Sequence, residues 1–246
     1  MIANQFDLNK KQISSFGHFL TEGADGTLYA LENLFGLDID SSDSSIEITP
    51  ILSPECLRNL GNGTLYTVSS AMLGEIQGSM LLLLRAGDFQ YLGEIMRPVL
   101  NLLFLSDDST ELARLENEKP GWMQDGDLCT EDEAVFRAQM MDMLAEMGNV
   151  LIGLYTKAIY DIYALNTHHS VPLAFQDDEQ ETIRKFLAAD QPDGQMHLVI
   201  ENEFTIMDQS IKLWCLISPS GESFRNILKC IESREECSHN FTRPTH

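Results

Sequence analysis

A long helical pattern runs from Thr130 to about Tyr163 in this chain of 246 residues. Thr130 and Glu133 have the spacing of a capping box, in which two side chains satisfy the first free backbone N–H groups of a helix. Apolar residues then recur at helical spacing on one side: Phe136, Met140, Met143, Leu144, Met147, Val150, Leu151, Leu154 and Ala158. The pattern predicts an amphipathic helix over 131–163 that needs a broad apolar surface to pack on.

Three polar residues recur on the other side of this helix. Asp142, Glu146 and Asn149 are spaced by four and three residues, so their side chains fall within roughly 60° of one another. Small residues flank them on the predicted outward face: Ala138, Ala145, Gly153 and Thr156. A face with small flanks lets another backbone approach closely, which favours a docking role. An ordinary solvated face is the alternative, and the spacing alone leaves both open.

A fourth residue extends the pattern, since twenty-two residues separate Asn149 from Pro172. The order Asp or Ser, three residues, Glu, two residues, Asn, twenty-two residues, Pro resembles the signature of the CheC/CheX/FliY family of chemotaxis phosphatases. All four positions match it, at Asp142, Glu146, Asn149 and Pro172. The segment Glu-Met-Gly-Asn-Val-Leu-Ile-Gly, residues 146–153, is also similar to the active helix of that family.

The resemblance implies a phosphatase that removes the phospho-aspartate of a CheY-like response regulator. It implies that Asn149 orients a water for attack on phosphorus and that Glu146 pairs with a lysine of the regulator. Asp142 and Pro172 would belong to the partner-binding surface, Asp142 by contact and Pro172 by shaping the chain beside the active helix. The family's substrates hold their own divalent metal, so we expect Mg²⁺ on the regulator and no cofactor in this chain. The resemblance also allows a CheD-like deamidase as a second partner. It leaves open whether the protein is a monomer or a homodimer.

The halves of the chain show a weak internal repeat. We predict one CheC-like domain over 1–246, with half-repeats 11–105 and 130–235, a linker at 106–129 and a disordered tail at 236–246. An offset of 128 residues maps the four signature positions onto Ser14, His18, Thr21 and Ser44. Of these, Ser14 alone fits the signature, so the chain is expected to keep one active face and to use its first helix structurally.

Each half contains a helix, two strand-like runs and a second helix. The strand-like runs lie near 64–73 and 75–84 in the first half, and near 196–206 and 210–217 in the second. This order predicts an α+β fold with a pseudo-twofold repeat, in which long amphipathic helices pack across an antiparallel β-sheet, as in CheC-like proteins. The acidic run from Asp177 is predicted to form an exposed helix.

Charge excludes several classes of function. The net charge is −22, from 38 acidic and 16 basic residues, which argues against nucleic acid and anionic membranes as partners. The sequence has no glycine-rich phosphate loop and no cluster of Arg or Lys that could hold a phosphoryl group alone. No apolar run approaches a membrane span and the first residues lack the features of a signal peptide, so a cytoplasmic protein is predicted.

Cysteine and histidine give no separate site. The five cysteines are widely spaced without a Cys-x-x-Cys pair, which argues against a disulfide framework or structural zinc. Neither His18 nor the pair His168 and His169 stands at a metal-ligand spacing. The main rival function is a non-catalytic adaptor that binds a response regulator, similar to the middle domain of flagellar switch proteins; a scaffold for a chemotaxis partner is also possible.

Overall fold

Eight strands and four long helices make up the described part of the chain. The computed structural model describes residues 2–4, 8–36, 38–49, 63–104, 131–178, 181–182 and 196–239. The elements in chain order are β1 (Ile2–Asn4), α1 (Lys10–Phe35), β2 (Asp40–Thr49), β3 (Thr64–Gly74), β4 (Gly78–Arg85), α2 (Ala86–Phe104), α3 (Glu131–Tyr163), β5 (Thr167–His169), β6 (Leu173–Asp178), β7 (His197–Ile206), β8 (Gln209–Pro219) and α4 (Gly221–His239). The predicted α+β class is confirmed, while the internal repeat stays a prediction.

Local sequence explains where the first helix begins and ends. Asn9 caps α1 by accepting hydrogen bonds from the backbone N–H groups of Lys11 and Gln12, and the Asn9 N–H donates in return to Oε1 of Gln12. This reciprocal pair is a capping box. Gly36 ends the helix in the left-handed conformation, with φ 64°, which costs glycine no side-chain clash. The corresponding Thr130 lies outside the described residues.

The strands form one sheet in the order β1-β2-β7-β8-β4-β3-β5, with β6 also paired to β3. Both predicted strand pairs are antiparallel hairpins, β3 with β4 and β7 with β8. The hairpins meet in the middle of the sheet, where Leu81 of β4 lies opposite Leu216 of β8. Because β2 pairs with β7 and β6 pairs with β3, each hairpin is extended by a strand from the other half of the chain.

Three regions differ from the sequence-based expectation. The run from Asp177 does not start as a helix, because Asp177 and Asp178 end strand β6 against β3. Helix α4 continues to His239, so the first residues of the predicted disordered tail, 236–246, are helical. Strand β2 was not predicted at all. The predicted linker at 106–129 lies outside the described residues.

All four helices contribute to one core against one face of the sheet. Phe16 of α1 stacks on Phe224 of α4 with ring centres 6.1 Å apart, and Phe89 of α2 stacks on Tyr66 of β3 at 3.7 Å. The sheet contributes a face of apolar residues to this core: Tyr66, Val68, Met72, Met80, Leu82, Leu84, Leu198, Ile200, Leu213, Cys215 and Ile217. Among the described helices, none is both long and apolar enough to cross a membrane.

Candidate functional site

The candidate site is the outward face of α3. Asp142, Glu146 and Asn149 are all exposed there, as the helical spacing predicts. Side chains three or four positions apart on a helix have Cβ atoms about 5–6 Å apart. Glu146 and Asn149 therefore form a close pair of a carboxylate and an amide, with Asp142 one turn before them.

Close packing beneath the site fixes how this face is presented. Gly148 is buried, and a Cβ at that position would lie 2.5 Å from Cγ1 of Val68 in β3. The backbone of α3 thus touches the sheet directly at the residue before Asn149. Met147, next to it, is also buried. Since both residues between Glu146 and Asn149 are held against the core, the two polar side chains are held outward.

A buried polar contact anchors the same helix further along. The Tyr155 hydroxyl accepts a hydrogen bond from Nδ2 of Asn202 in β7 at 3.0 Å. Oδ1 of Asn202 accepts another from Oγ of Ser44 in β2, also at 3.0 Å. Burial raises the pKa of the Tyr155 hydroxyl. Sequence reasoning missed this contact, although a tyrosine among the buried residues of α3 was a usable signal, because a buried hydroxyl requires a partner.

Pro172 lies in a β-bulge that flanks α3. His169 pairs with Met72 of β3, and Leu173 pairs with Ser69, so residues 170–172 oppose two residues of β3. Ser170 fills the bulge, donating its N–H to the Ala71 carbonyl at 2.9 Å while its Oγ accepts from the Ala71 N–H at 3.0 Å. Proline suits a bulge because it has no N–H to donate to the ladder.

Burial limits what Pro172 can do. Its side chain is buried, whereas Val171 beside it is 85% exposed. The bulge brings β5 next to the helix, since a Cβ on Gly153 of α3 would lie 3.5 Å from Nε2 of His169. The structure therefore places Pro172 as a buried residue in the strand path beside α3.

The counterpart positions in the first half do not form a similar face. Ser14, His18 and Thr21 are exposed on α1, and the Thr21 hydroxyl donates to the Gly17 carbonyl of its own helix at 3.1 Å. Ser44 lies within strand β2 and bonds Asn202, whereas Pro172 lies before a strand. The two sets of residues thus differ in chemistry and in setting.

Two predictions about the faces of α3 were wrong. Val150, placed on the apolar side by its spacing, is 40% exposed. Thr156, placed on the outward face, is buried and donates its hydroxyl to the Gly153 carbonyl at 2.9 Å. The exposed face therefore includes Val150 beside Asn149, so the site has an apolar edge that the sequence did not predict.

The chemistry of this face suits positioning better than phosphate binding. The next basic residue of α3 after Asn149 is Lys157, and it is paired with Asp161 one turn later. That hydrogen bond raises the pKa of Lys157. Within the described ranges, no three His, Cys, Asp or Glu side chains gather where they could hold a metal ion. The residues gathered here can accept and donate hydrogen bonds and can pair with a cation.

Comparison with known proteins identifies the fold. No protein-family model and no curated protein matches the sequence. FliY of Thermotoga maritima superposes with a TM-score of 0.58 at 13% identity, covering 92% of this chain and 100% of FliY. The chain has the FliY fold. The sequence resemblance to the CheC/CheX/FliY family is thereby confirmed at the level of the fold.

Two further solved structures are similar to this chain. The FliM middle domain of Vibrio alginolyticus has a TM-score of 0.50 at 9% identity, covering 87% of this chain and 99% of that domain. The CheX–CheY complex with BeF₃ and Mg²⁺ from Borrelia burgdorferi gives a TM-score of 0.46 at 11% identity, with 83% and 97% covered. FliY and the FliM middle domain thus have folds similar to that of this chain. At such low identity the likeness does not assign its functional residues, which are argued from their own geometry.

Proposed function

We propose that this protein is a phosphatase that dephosphorylates the phospho-aspartate of a CheY-like chemotaxis response regulator. The observation that supports it is the exposed pair of Glu146 and Asn149, held outward by the close contact between Gly148 and Val68. The pair also matches the family signature in residue type and spacing. Such a protein would act in the cytoplasm, where response regulators work.

In this proposal the regulator holds its own reacting group. The phospho-aspartate, the Mg²⁺ and the lysine that bind the phosphoryl oxygens all belong to the regulator. This chain then needs no cationic pocket, which agrees with the pairing of Lys157 to Asp161. Its contribution is to place and orient a water, an effect of proximity and orientation.

Asn149 is assigned the role of orienting the attacking water. Its amide would enter the regulator's pocket, where it can accept a hydrogen bond from the water and donate one without bringing a negative charge beside the phosphoryl group. The water oxygen forms a bond to phosphorus as the bond from phosphorus to the aspartate oxygen breaks. The electron pair stays on the aspartate, which leaves as a carboxylate, and inorganic phosphate is released.

Glu146 is assigned the role of anchoring the regulator. One turn from Asn149, its carboxylate would pair with the regulator's lysine and fix the register of the complex. Asp142 would extend the contact by another turn of the helix. A CheD-like second partner and a homodimer stay predictions.

Replacing Glu146 with alanine tests the anchor. The variant should raise KM for the phosphorylated regulator by at least about 10-fold, because removing one side of a charge pair that is buried in a complex weakens binding by at least that factor. Asp142→Ala is the matched control on the same face and should change KM less. Steady-state decay of phosphorylated regulator measures both, and equal KM values for Glu146→Ala and the unmodified chain would refute the assignment.

A non-catalytic adaptor is the second candidate, since the fold is shared with the FliM middle domain and is compatible with either function. An adaptor would bind the regulator through the same face without changing the lifetime of its phosphoryl group. Binding with unchanged decay separates this candidate from the phosphatase.

A further inference from the structure

Two exposed apolar side chains lie beside the candidate site on neighbouring helices. Tyr29 of α1 is 68% exposed and Val150 of α3 is 40% exposed. Neither belongs to the family signature. Single exposed apolar residues are ordinary on a protein surface, so what matters is whether these two are neighbours.

The contacts between α1 and α3 make them neighbours. A Cβ on Gly23 would lie 2.4 Å from Cε1 of Tyr155, and one on Gly26 would lie 3.6 Å from Cδ2 of Leu154. Later residues of α1 therefore contact earlier residues of α3, so the two helices are antiparallel. The electrostatic contact between Glu22 and Lys157 follows the same order.

Continuing this register by one turn brings Tyr29 to the level of Val150. Tyr29 lies one turn after Gly26 on the same side of α1, and Val150 lies one turn before Leu154 on α3. Leu151, the next residue, is fully buried, so Val150 is the exposed residue of α3 at the level of Tyr29. The helix axes of packed pairs lie about 8–10 Å apart, so Tyr29 lies about one interaxial distance from the turn of α3 that carries Asn149 and Val150.

A partner that admits Asn149 into a pocket must cover this area. Weak, transient interfaces bury about 600 Å² on each partner, equivalent to a disc of radius about 14 Å. Tyr29 and Val150 fall within that radius of Asn149. Tyr160, also exposed on α3, lies three turns beyond Asn149, or about 16 Å at 1.5 Å per residue, and falls outside it.

We propose that Tyr29 and Val150 form an apolar docking surface for the rim of the response regulator's phospho-aspartate pocket. The inference rests on the proposed function, because it takes the regulator as the occupant. Tyrosine is among the residues that most often carry the energy of protein–protein contacts. The first half of the chain thus contributes to partner affinity through Tyr29, although its own copy of the signature, at Ser14, His18 and Thr21, is incomplete.

Tyr29→Ala tests the docking surface. KM for the phosphorylated regulator should rise about 5- to 30-fold, the range expected for losing an interface tyrosine, with kcat unchanged. Binding of a purified CheY-like receiver domain loaded with beryllofluoride and Mg²⁺ should weaken by the same factor. Tyr29→Phe, which keeps the ring, should restore most of the affinity. Thermal unfolding of each variant confirms that it is folded.

Tyr160→Ala is the control of matched residue type. Because Tyr160 is similarly exposed and lies outside the expected contact area, its removal should leave KM within about twofold of the unmodified chain. Equal effects of Tyr29→Ala and Tyr160→Ala, or no effect of Tyr29→Ala, would overturn the docking surface.

The failure of this inference can be told apart from failure of the proposed function. If the chain is active and Tyr29→Ala does not change its KM, the phosphatase proposal stands and the docking surface is contradicted. If the unmodified chain binds the beryllofluoride-loaded receiver domain without accelerating decay, the phosphatase proposal fails. The affinity of Tyr29→Ala for the same receiver domain then still tests the docking surface. A chain that does not bind the receiver domain contradicts both.

Discussion

Replacing Asn149 with alanine is expected to return the decay of the phosphorylated regulator to its unassisted rate. The reason is that the amide is the group assigned to hold the attacking water, and loss of orientation in such a step costs about 100-fold or more. The side chain is exposed, so the free energy of unfolding should change by no more than about 0.5 kcal/mol. The decay rate at saturating concentrations of the variant measures the effect on the chemical step.

One companion variant and one binding measurement sharpen this prediction. Asn149→Asp keeps the size of the side chain but places an anion beside the phosphoryl group, so it should be as inactive as alanine. Asn149→Ala should still bind the beryllofluoride-loaded regulator, because Glu146 and the remaining contacts are intact. An Asn149→Ala variant that accelerates decay as well as the unmodified chain would remove Asn149 from the mechanism.

Replacing Gly148 with alanine should damage both stability and activity. The added methyl group would meet three atoms of the Val68 side chain at 2.5–2.9 Å, in a region where Val68 is fully buried. Forcing an extra methyl into a packed core costs about 1–3 kcal/mol. Helix α3 must then shift away from β3, which should displace Asn149 from the position that the proposed mechanism requires. Chemical denaturation and the decay assay measure the two effects.

Gly153→Ala is the matched control on the same helix. Its added Cβ would be 3.5 Å from Nε2 of His169, an ordinary contact, so the change should be neutral or should stabilise the helix by up to about 1 kcal/mol. Combining Gly148→Ala with Val68→Ala should recover part of the activity, since it removes Cγ1 and Cγ2 of Val68, two of the three atoms that the added methyl group would meet. Equal stability of the two single glycine variants would contradict the proposed close contact between α3 and the sheet.

Periodicity was sufficient to predict α3 and the two hairpins, because these elements carry strong apolar repeats. It failed for β2, whose first four residues include Asp40 and Asp43, and aspartate is depleted in strands. Pairing with β7 over the whole length of β2 supplies the stability that the local sequence does not. Strand β6 was missed for the same reason, since its acidic end at Asp177 and Asp178 is held by pairing with β3.

The sequence predicted which residues share the face of the candidate site, but it predicted the surroundings of that face only in part. Asp142, Glu146 and Asn149 share a face because that follows from helical geometry alone. The exposure of Val150 and the burial of Thr156 depend on which elements lie to either side of α3, which no helical wheel contains. The contact of Tyr155 with Asn202, and the position of Tyr29, likewise depend on tertiary packing.

Fold alone does not choose between the two candidate functions. FliY and the FliM middle domain both superpose on this chain, so the architecture is compatible with catalysis and with adaptor binding. The proposal of a phosphatase rests on the Glu146 and Asn149 pair, because an adaptor would not need an amide that orients water.

The most direct test of the phosphatase is the decay of an Mg²⁺-bound, phosphorylated CheY-like regulator with and without the unmodified chain, in parallel with binding of its beryllofluoride form. We expect decay to accelerate in proportion to the amount of complex formed. Binding of the beryllofluoride form without any acceleration of decay would contradict catalysis and leave the adaptor as the function of this fold.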